Sequence, residues 1–263
     1  MPDIFLDLPD HVAQRLARDA EDAGQTVEDY ARAVLEASLR SIQESDAETP
    51  DFANEPVVKA AEIEIEYRRL GYSIGWRFAN CPWSYAKSAK LLLVSLNPGG
   101  HVADGPHWPQ ELGSAYRIER SKGLQPGEET LQKQVLALFD YLSLRDDEVF
   151  SAYYVPLRSP SWDKLKRRDE ALDCSRSLWH WLMPQVGFDR IVTIGHLAGA
   201  RLAGLLGATA DATIKAGWGM ASAKRYRLPD GRPIIALPHL SRYQLFGRPE
   251  GRAALDEIFD RST

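Results

Sequence analysis

Four short apolar runs punctuate the later part of the chain: residues 91–96 (LLLVSL), 149–157 (VFSAYYVPL), 190–194 (RIVTI) and 233–237 (PIIAL). Their length and apolar character predict strands. Between them, residues 129–142 (ETLQKQVLALFDYL), 167–184 and 197–207 repeat apolar positions at helical spacing, and a further helix is predicted over 57–70. Strand and helix alternating at this interval predict an α/β fold. The expected architecture is a three-layer α/β/α domain around a four-stranded parallel sheet, spanning residues 57–263.

The front of the chain follows a different pattern. Ile4, Leu6 and Leu8 alternate with Asp3, Phe5 and Asp7, the period of a short strand. Pro9 and Asp10 then open a helix with Val12, Leu16 and Ala20 on one face, and Gly24 stops it. Thr26 is placed to cap a second helix, with Asp29 at the capping-box position. Val27, Tyr30, Ala31, Val34, Leu35 and Leu39 supply its apolar stripe. Residues 1–42 thus form a small strand-helix-helix module, joined to the main domain by the acidic, proline-containing linker 43–56 (QESDAETPDFANEP). This module resembles the ribbon-helix-helix proteins, whose paired strands build one core from two chains. About 40 residues do not easily bury a core alone, which favours a homodimer through residues 1–42. Readout of DNA by its strand is disfavoured, because Asp3 and Asp7 would face phosphates.

Charge sharpens the division. Of 37 acidic and 32 basic side chains, residues 1–56 hold 14 acidic against 4 basic, leaving a mildly basic body. Such a body permits phosphate binding without demanding it. Two cysteines, Cys81 and Cys174, exclude an all-cysteine iron–sulfur or zinc site and suit a reducing cytoplasm. The start MPDIFLDLPD lacks signal-peptide character, and no apolar stretch approaches the ~20 residues of a membrane helix. His180 and His196 have no partners at metal spacing, so no metal and no other cofactor is expected.

In an open α/β sheet, ligands bind at the carboxyl ends of the strands. Those ends carry the polar residues here. The first predicted strand breaks into Asn97-Pro98-Gly99-Gly100, and the second into Arg158-Ser159-Pro160-Ser161-Trp162. The third ends at Gly195-His196, and the fourth at Pro238-His239-Leu240-Ser241, followed by Arg242, Tyr243 and Arg248. Glycines allow close backbone approach to a phosphate or base, and the amides after them can hold anions. Lys164, Lys166, Arg167 and Arg168 offer either a phosphate track or a solvated helix face.

Asn97-Pro98-Gly99 resembles the first motif of the uracil-DNA glycosylase superfamily, in its mismatch-specific and single-strand-selective branches. His239-Leu240-Ser241 resembles that superfamily's His-Pro-Ser motif, with Leu240 in place of proline, and IVTIGHLAGARLAGLLG resembles its third strand and following helix. The similarity covers roughly residues 75–260. It implies a DNA partner and a flipped-out nucleotide. It also implies that Asn97 holds the attacking water while a neutral His239 stabilises the departing base. Ser241, Arg242, Ser159, Ser161 and the amides near Gly99 and Gly100 become candidate contacts to substrate. His107, Trp108 and Tyr116 are alternatives for an aromatic stacked on the base.

The chain also departs from the family. Uracil readers carry an Asn on the second strand, where this chain has Tyr153, and no Asn occurs in 149–162. Ser95 replaces the usual glycine before the first motif. A phenol lacks the paired donor and acceptor of an amide. The expected substrate is therefore a modified pyrimidine, such as the modified cytosines of phage DNA that some relatives excise in defence. A uracil or mismatched-thymine repair enzyme, a catalytically silent nucleic-acid sensor and an antitoxin-like regulator are the other readings.

Overall fold

The computed structural model describes residues 17–18, 20–21, 24–30, 56–101, 103, 108 and 112–261. The chain divides into two compact units, Met1–Asp51 and Phe52–Thr263. Of the first unit, the predicted strand at 4–8 and the helix residues Val12 and Leu16 lie outside the described residues. The described part contains the cap. Thr26 Oγ1 accepts from the Asp29 amide at 3.1 Å and donates to Asp29 Oδ2 at 2.7 Å. Gly24 adopts φ +65° where the preceding helix stops, a conformation that costs glycine little.

The second unit runs α1 (Pro56–Arg69), β1 (Leu91–Ser95), α2 (Ala115–Ile118), α3 (Thr130–Leu142), β2 (Val149–Tyr153), α4 (Arg168–Leu182), β3 (Arg190–Ile194), α5 (His196–Leu205), β4 (Thr209–Lys215), β5 (Ser222–Arg227), β6 (Pro233–Leu237) and α6 (Arg252–Ile258). The strands form one mixed sheet in the order β2-β1-β3-β6-β5-β4. The four predicted strands are all present and mutually parallel. The expectation of four strands is corrected to six, because β4 and β5 extend the sheet in antiparallel pairing. Their sequences, TADATIK and SAKRYR, keep one face polar and exposed, so they lack the continuous apolar run that marks a doubly covered strand.

Helices flank the sheet. Leu92 and Val94 of β1 point into one core with Phe150, Ile191, Leu178 and Trp179. Leu91 and Leu93 point into the other, with Val135, Leu138, Val192, Ile235 and Leu255. This alternation follows from the two-residue period of a strand. The free side of β2 is covered by residues 76–80, which run antiparallel to it: Asn80 N donates to Ser151 O at 2.8 Å and Tyr153 N to Phe78 O at 2.7 Å. The helix α3 is started by Glu129, whose carboxylate accepts from Leu131 N at 2.7 Å while Gln132 Oε1 accepts from Glu129 N at 3.2 Å. Among the described residues, no helix is long and apolar enough to cross a membrane.

Helix α5 approaches the sheet closely at Gly199. A Cβ there would stand 2.4 Å from Ala236 Cβ and 2.8 Å from Thr193 Oγ1. Gly199→Ala is therefore expected to destabilise the domain by about 1–3 kcal/mol through overpacking, read as a lower denaturation midpoint with unchanged slope. An unchanged midpoint would show that α5 is not held this tightly.

Candidate active site

Parallel register sets the frame. Ser95 of β1 lies opposite Tyr153 of β2 and Ile194 of β3, and Ile194 lies opposite Leu237 of β6. Asn97, Gly195 and His239 therefore stand along one carboxyl edge, with β3 between the other two. Strand spacing puts the Asn97 and His239 backbones on the order of 10 Å apart. Gly195, at φ +103°, leaves the gap open: a Cβ on it would be 4.0 Å from His239 Cδ2.

Each of the two residues is held by a serine. Asn97 Nδ2 donates to Ser159 Oγ at 2.8 Å and to Pro98 O at 3.2 Å. Ser159 is buried, and its hydroxyl donates onward to Ser161 O at 2.8 Å. Ser159 thus serves to orient Asn97, and Ser161 contributes its carbonyl. With its amide nitrogen committed, Asn97 presents Oδ1 as an acceptor. The loop is tightened by Arg158, whose Nη1 donates to Gly99 O at 2.5 Å. Gly100 sits at φ +123°, and a Cβ there would approach that guanidinium to 3.3 Å.

In the loop after β6, His239 Nδ1 receives the Ser241 amide at 3.3 Å and lies 2.8 Å from the Ser241 hydroxyl. An amide can only donate, so Nδ1 is an acceptor and the proton of the neutral ring resides on Nε2. The surrounding protein disfavours the charged ring, Arg242 adds to this, and Glu129 opposes it; the net effect lowers the pKa. His239 is thus a neutral donor whose free N–H faces away from Ser241. Arg242 itself is exposed beside it.

Tyr153 and Tyr116 lie toward the α3 face of the sheet. The two-residue period carries Leu91, Leu93 and Ser95 to the α3 side, and likewise Val149 and Tyr153. Tyr116 is buried there, and burial raises its pKa. Burial also raises that of Tyr153, against the opposing charge of Arg77.

Trp108 is placed elsewhere. It lies flat on Phe78, with centroids 4.4 Å apart and planes at 10°, beside Trp83 and Trp181. That cluster belongs to the opposite face from Tyr116. Trp179 is also core, donating to Tyr154 O at 2.8 Å. His107 lies outside the described residues. His196 Nε2 is 2.7 Å from Ser222 O, and His180 Nδ1 is 2.9 Å from Arg176 O, so neither addresses the edge. Arg167 is tied to Glu170, and Arg168 to Trp162, whereas Lys164 and Lys166 are exposed and line a 450 Å³ cavity with Arg158 and Ser159.

Sequence reasoning missed the residues beside Tyr153. Arg77 and Asn80 come from the segment that covers β2, and Arg77 forms a two-pronged pair with Glu119. The available signal was an arginine and an asparagine set inside the aromatic run GWRFANCPW. No protein-family model matches the chain, and no curated protein matches it.

The His239 geometry has a pH consequence. An NMR titration is expected to place its pKa below the usual ~6.5, and Arg242→Gln is expected to raise it. The stability associated with the neutral ring is present above the ordinary value and is lost as pH falls through the lowered one. A measured value at or above the ordinary one would remove the neutral donor.

Proposed function

We propose that this chain is a monofunctional DNA glycosylase of the uracil-DNA glycosylase type, which flips out a modified pyrimidine nucleotide and hydrolyses its N-glycosidic bond. The observation that carries this reading is a pre-set neutral histidine, with Nε2–H free, on the same sheet edge as an asparagine whose Nδ2 is locked and whose Oδ1 is available.

Such a pair suits a reaction with little need for a strong base. As the bond between C1′ and the base lengthens, positive charge grows on the sugar and negative charge on the base. Asn97 Oδ1 accepts a hydrogen bond from a water and holds it beneath C1′. His239 Nε2–H donates to the oxygen of the leaving base, and a preorganised donor of this kind is worth most where charge develops. The C1′–base bond breaks with its electron pair going to the base, which departs as an anion stabilised by His239; water adds to C1′, and the proton it loses passes to solvent, from which the free base is neutralised. Ser159 keeps the Asn97 amide from turning, and Ser241 keeps the imidazole in the donating tautomer. Gly99 and Gly100 permit close backbone approach to the flipped nucleotide, and Ser241 and Arg242 lie where its flanking phosphates would pass. Tyr153, in place of a second-strand amide, supports a 5-substituted cytosine of the kind carried by phage DNA as substrate.

The test is a panel of single- and double-stranded oligonucleotides carrying uracil, mismatched thymine, 5-hydroxymethylcytosine and its glucosylated form, with abasic sites revealed by alkaline cleavage. Release of a modified cytosine is expected to exceed that of uracil at matched sequence and salt. Efficient uracil release with no activity on modified cytosines would favour a repair enzyme. Asn97→Ala and His239→Ala are each expected to slow single-turnover release at least ~10-fold, with unchanged melting. Full rates in both would leave them structural.

The front module supports a homodimer in this scheme. Sedimentation of the full chain at micromolar concentration is expected to give a dimer, and a monomer would overturn the ribbon-helix-helix reading.

A further inference from the structure

The 450 Å³ cavity lies between the loop after α1 and the segment that leads from β2 to α4. Its two walls are tied together by the chain. Arg158 N donates to Gly75 O at 3.1 Å, the Tyr72 hydroxyl donates to Lys166 O, and Arg167 Nη1 donates to Arg69 O at 2.9 Å. Backbone positions on both sides therefore set the space. Its size falls in the range of small-molecule sites, ~300–1,000 Å³.

The lining has two parts. One is flat and apolar, formed by Tyr72, Ile74 and Pro160. The Tyr72 hydroxyl is spent on the Lys166 carbonyl, which leaves the ring to supply contact area and stacking. The other part is cationic, formed by Arg158, Lys164 and Lys166, and the lining contains no carboxylate. Lys164 and Lys166 are exposed and make no ion pair among the described residues. The nearby acids do not compensate them. Glu170 pairs with Arg69 and Arg167, and Asp163 lies 4.0 Å from Arg168 with its side chain 95% exposed. An apolar wall of ring size beside uncompensated lysine charge suits an anion that carries a flat ring.

The cavity adjoins the edge that carries Asn97. Ser159 lines it and accepts from Asn97 Nδ2 at 2.8 Å, and Arg158 lines it and donates to Gly99 O at 2.5 Å. A strand with one nucleotide at Asn97 would bring a neighbouring nucleotide here. We infer that the cavity is a second nucleotide subsite. It holds a nucleoside monophosphate unit, with the base against Tyr72, Ile74 and Pro160 and the phosphate toward Lys164 and Lys166. The identity of the ligand as a nucleotide rests on the glycosylase reading, whereas the demand for a ring and an anion rests on the cavity alone. The unit is either a free mononucleotide or one nucleotide of a bound strand, and the two are separable by competition.

The full chain is titrated by calorimetry with the deoxynucleoside 5′-monophosphates, the matching nucleosides and inorganic phosphate, all at one salt concentration. Two variants undergo the same titrations with melting followed in parallel. Lys164→Glu/Lys166→Glu reverses the charge, and Ser73→Trp fills the cavity while leaving the charge in place. A monophosphate is expected to bind at least ~10-fold more tightly than its nucleoside or inorganic phosphate, and each variant is expected to weaken it at least ~10-fold with unchanged melting. Inorganic phosphate binding as tightly as the monophosphate, or undiminished binding by Ser73→Trp, assigns the affinity to surface charge and overturns the inference. An oligothymidylate decamer identifies the source. Displacement of the monophosphate by the decamer places a strand nucleotide in the cavity, and a monophosphate that stays bound beside the decamer makes the free nucleotide the ligand. Base release on the oligonucleotide panel separates the subsite from the reaction. Release without any variant-sensitive binding of monophosphate or decamer overturns the inference and leaves the glycosylase reading standing. Variant-sensitive nucleotide binding without release from any oligonucleotide keeps the subsite and removes the glycosylase. Neither binding nor release in wild type removes both.

Discussion

Leu91 is paired with Val149 on one side and Arg190 on the other, and the parallel register so defined governs the rest of the domain. Parallel strands covered on both faces have no freedom to slip, since a shift of one residue would turn every leucine of β1 into the wrong core. The same register obliges β1, β2, β3 and β6 to end together. Residues that leave those ends are gathered on one edge whatever their separation in the chain, which is how Asn97 and His239, 142 positions apart, share a border. Tight packing of α5 on β3 and β6 through Gly199 keeps that border from shearing.

Short polar contacts then convert a border into a chemical arrangement. Asn97 would be a rotating amide without Ser159, and His239 an undetermined tautomer without the Ser241 amide. Both serines act locally, on the residue each one orients. The result is an edge with one acceptor and one N–H donor whose directions are set before any ligand arrives. Preorganisation of this sort is what distinguishes a reactive constellation from polar loop residues that merely meet solvent.

Elsewhere the reverse holds: Arg77 Nε, Asn80 Nδ2 and Ser114 Oγ are buried without a hydrogen-bond partner among the described residues. Conflicts between stability and local chemistry of this kind concentrate at functional sites. The partly buried Arg77–Glu119 pair also ties residues 76–80 to the end of α2.

Apolar runs made β1, β2, β3 and β6 readable from the sequence, because strands buried on both faces tolerate little else. The helices between them were readable from their period, and Asn97 and His239 from their place directly after two of those runs. The strands β4 and β5 were not readable, since one polar face leaves alternating Thr, Ala and Lys that resembles exposed chain. Nor was the demotion of Trp108 to the opposite core, or the arrival of Asn80 next to Tyr153. Local pattern records how a segment meets water and its own neighbours in the chain. Which segment covers the free side of β2, and which side chains it brings there unpaired, depends on contacts between residues some 70 positions apart, as between Asn80 and Ser151, and only the folded chain decides those.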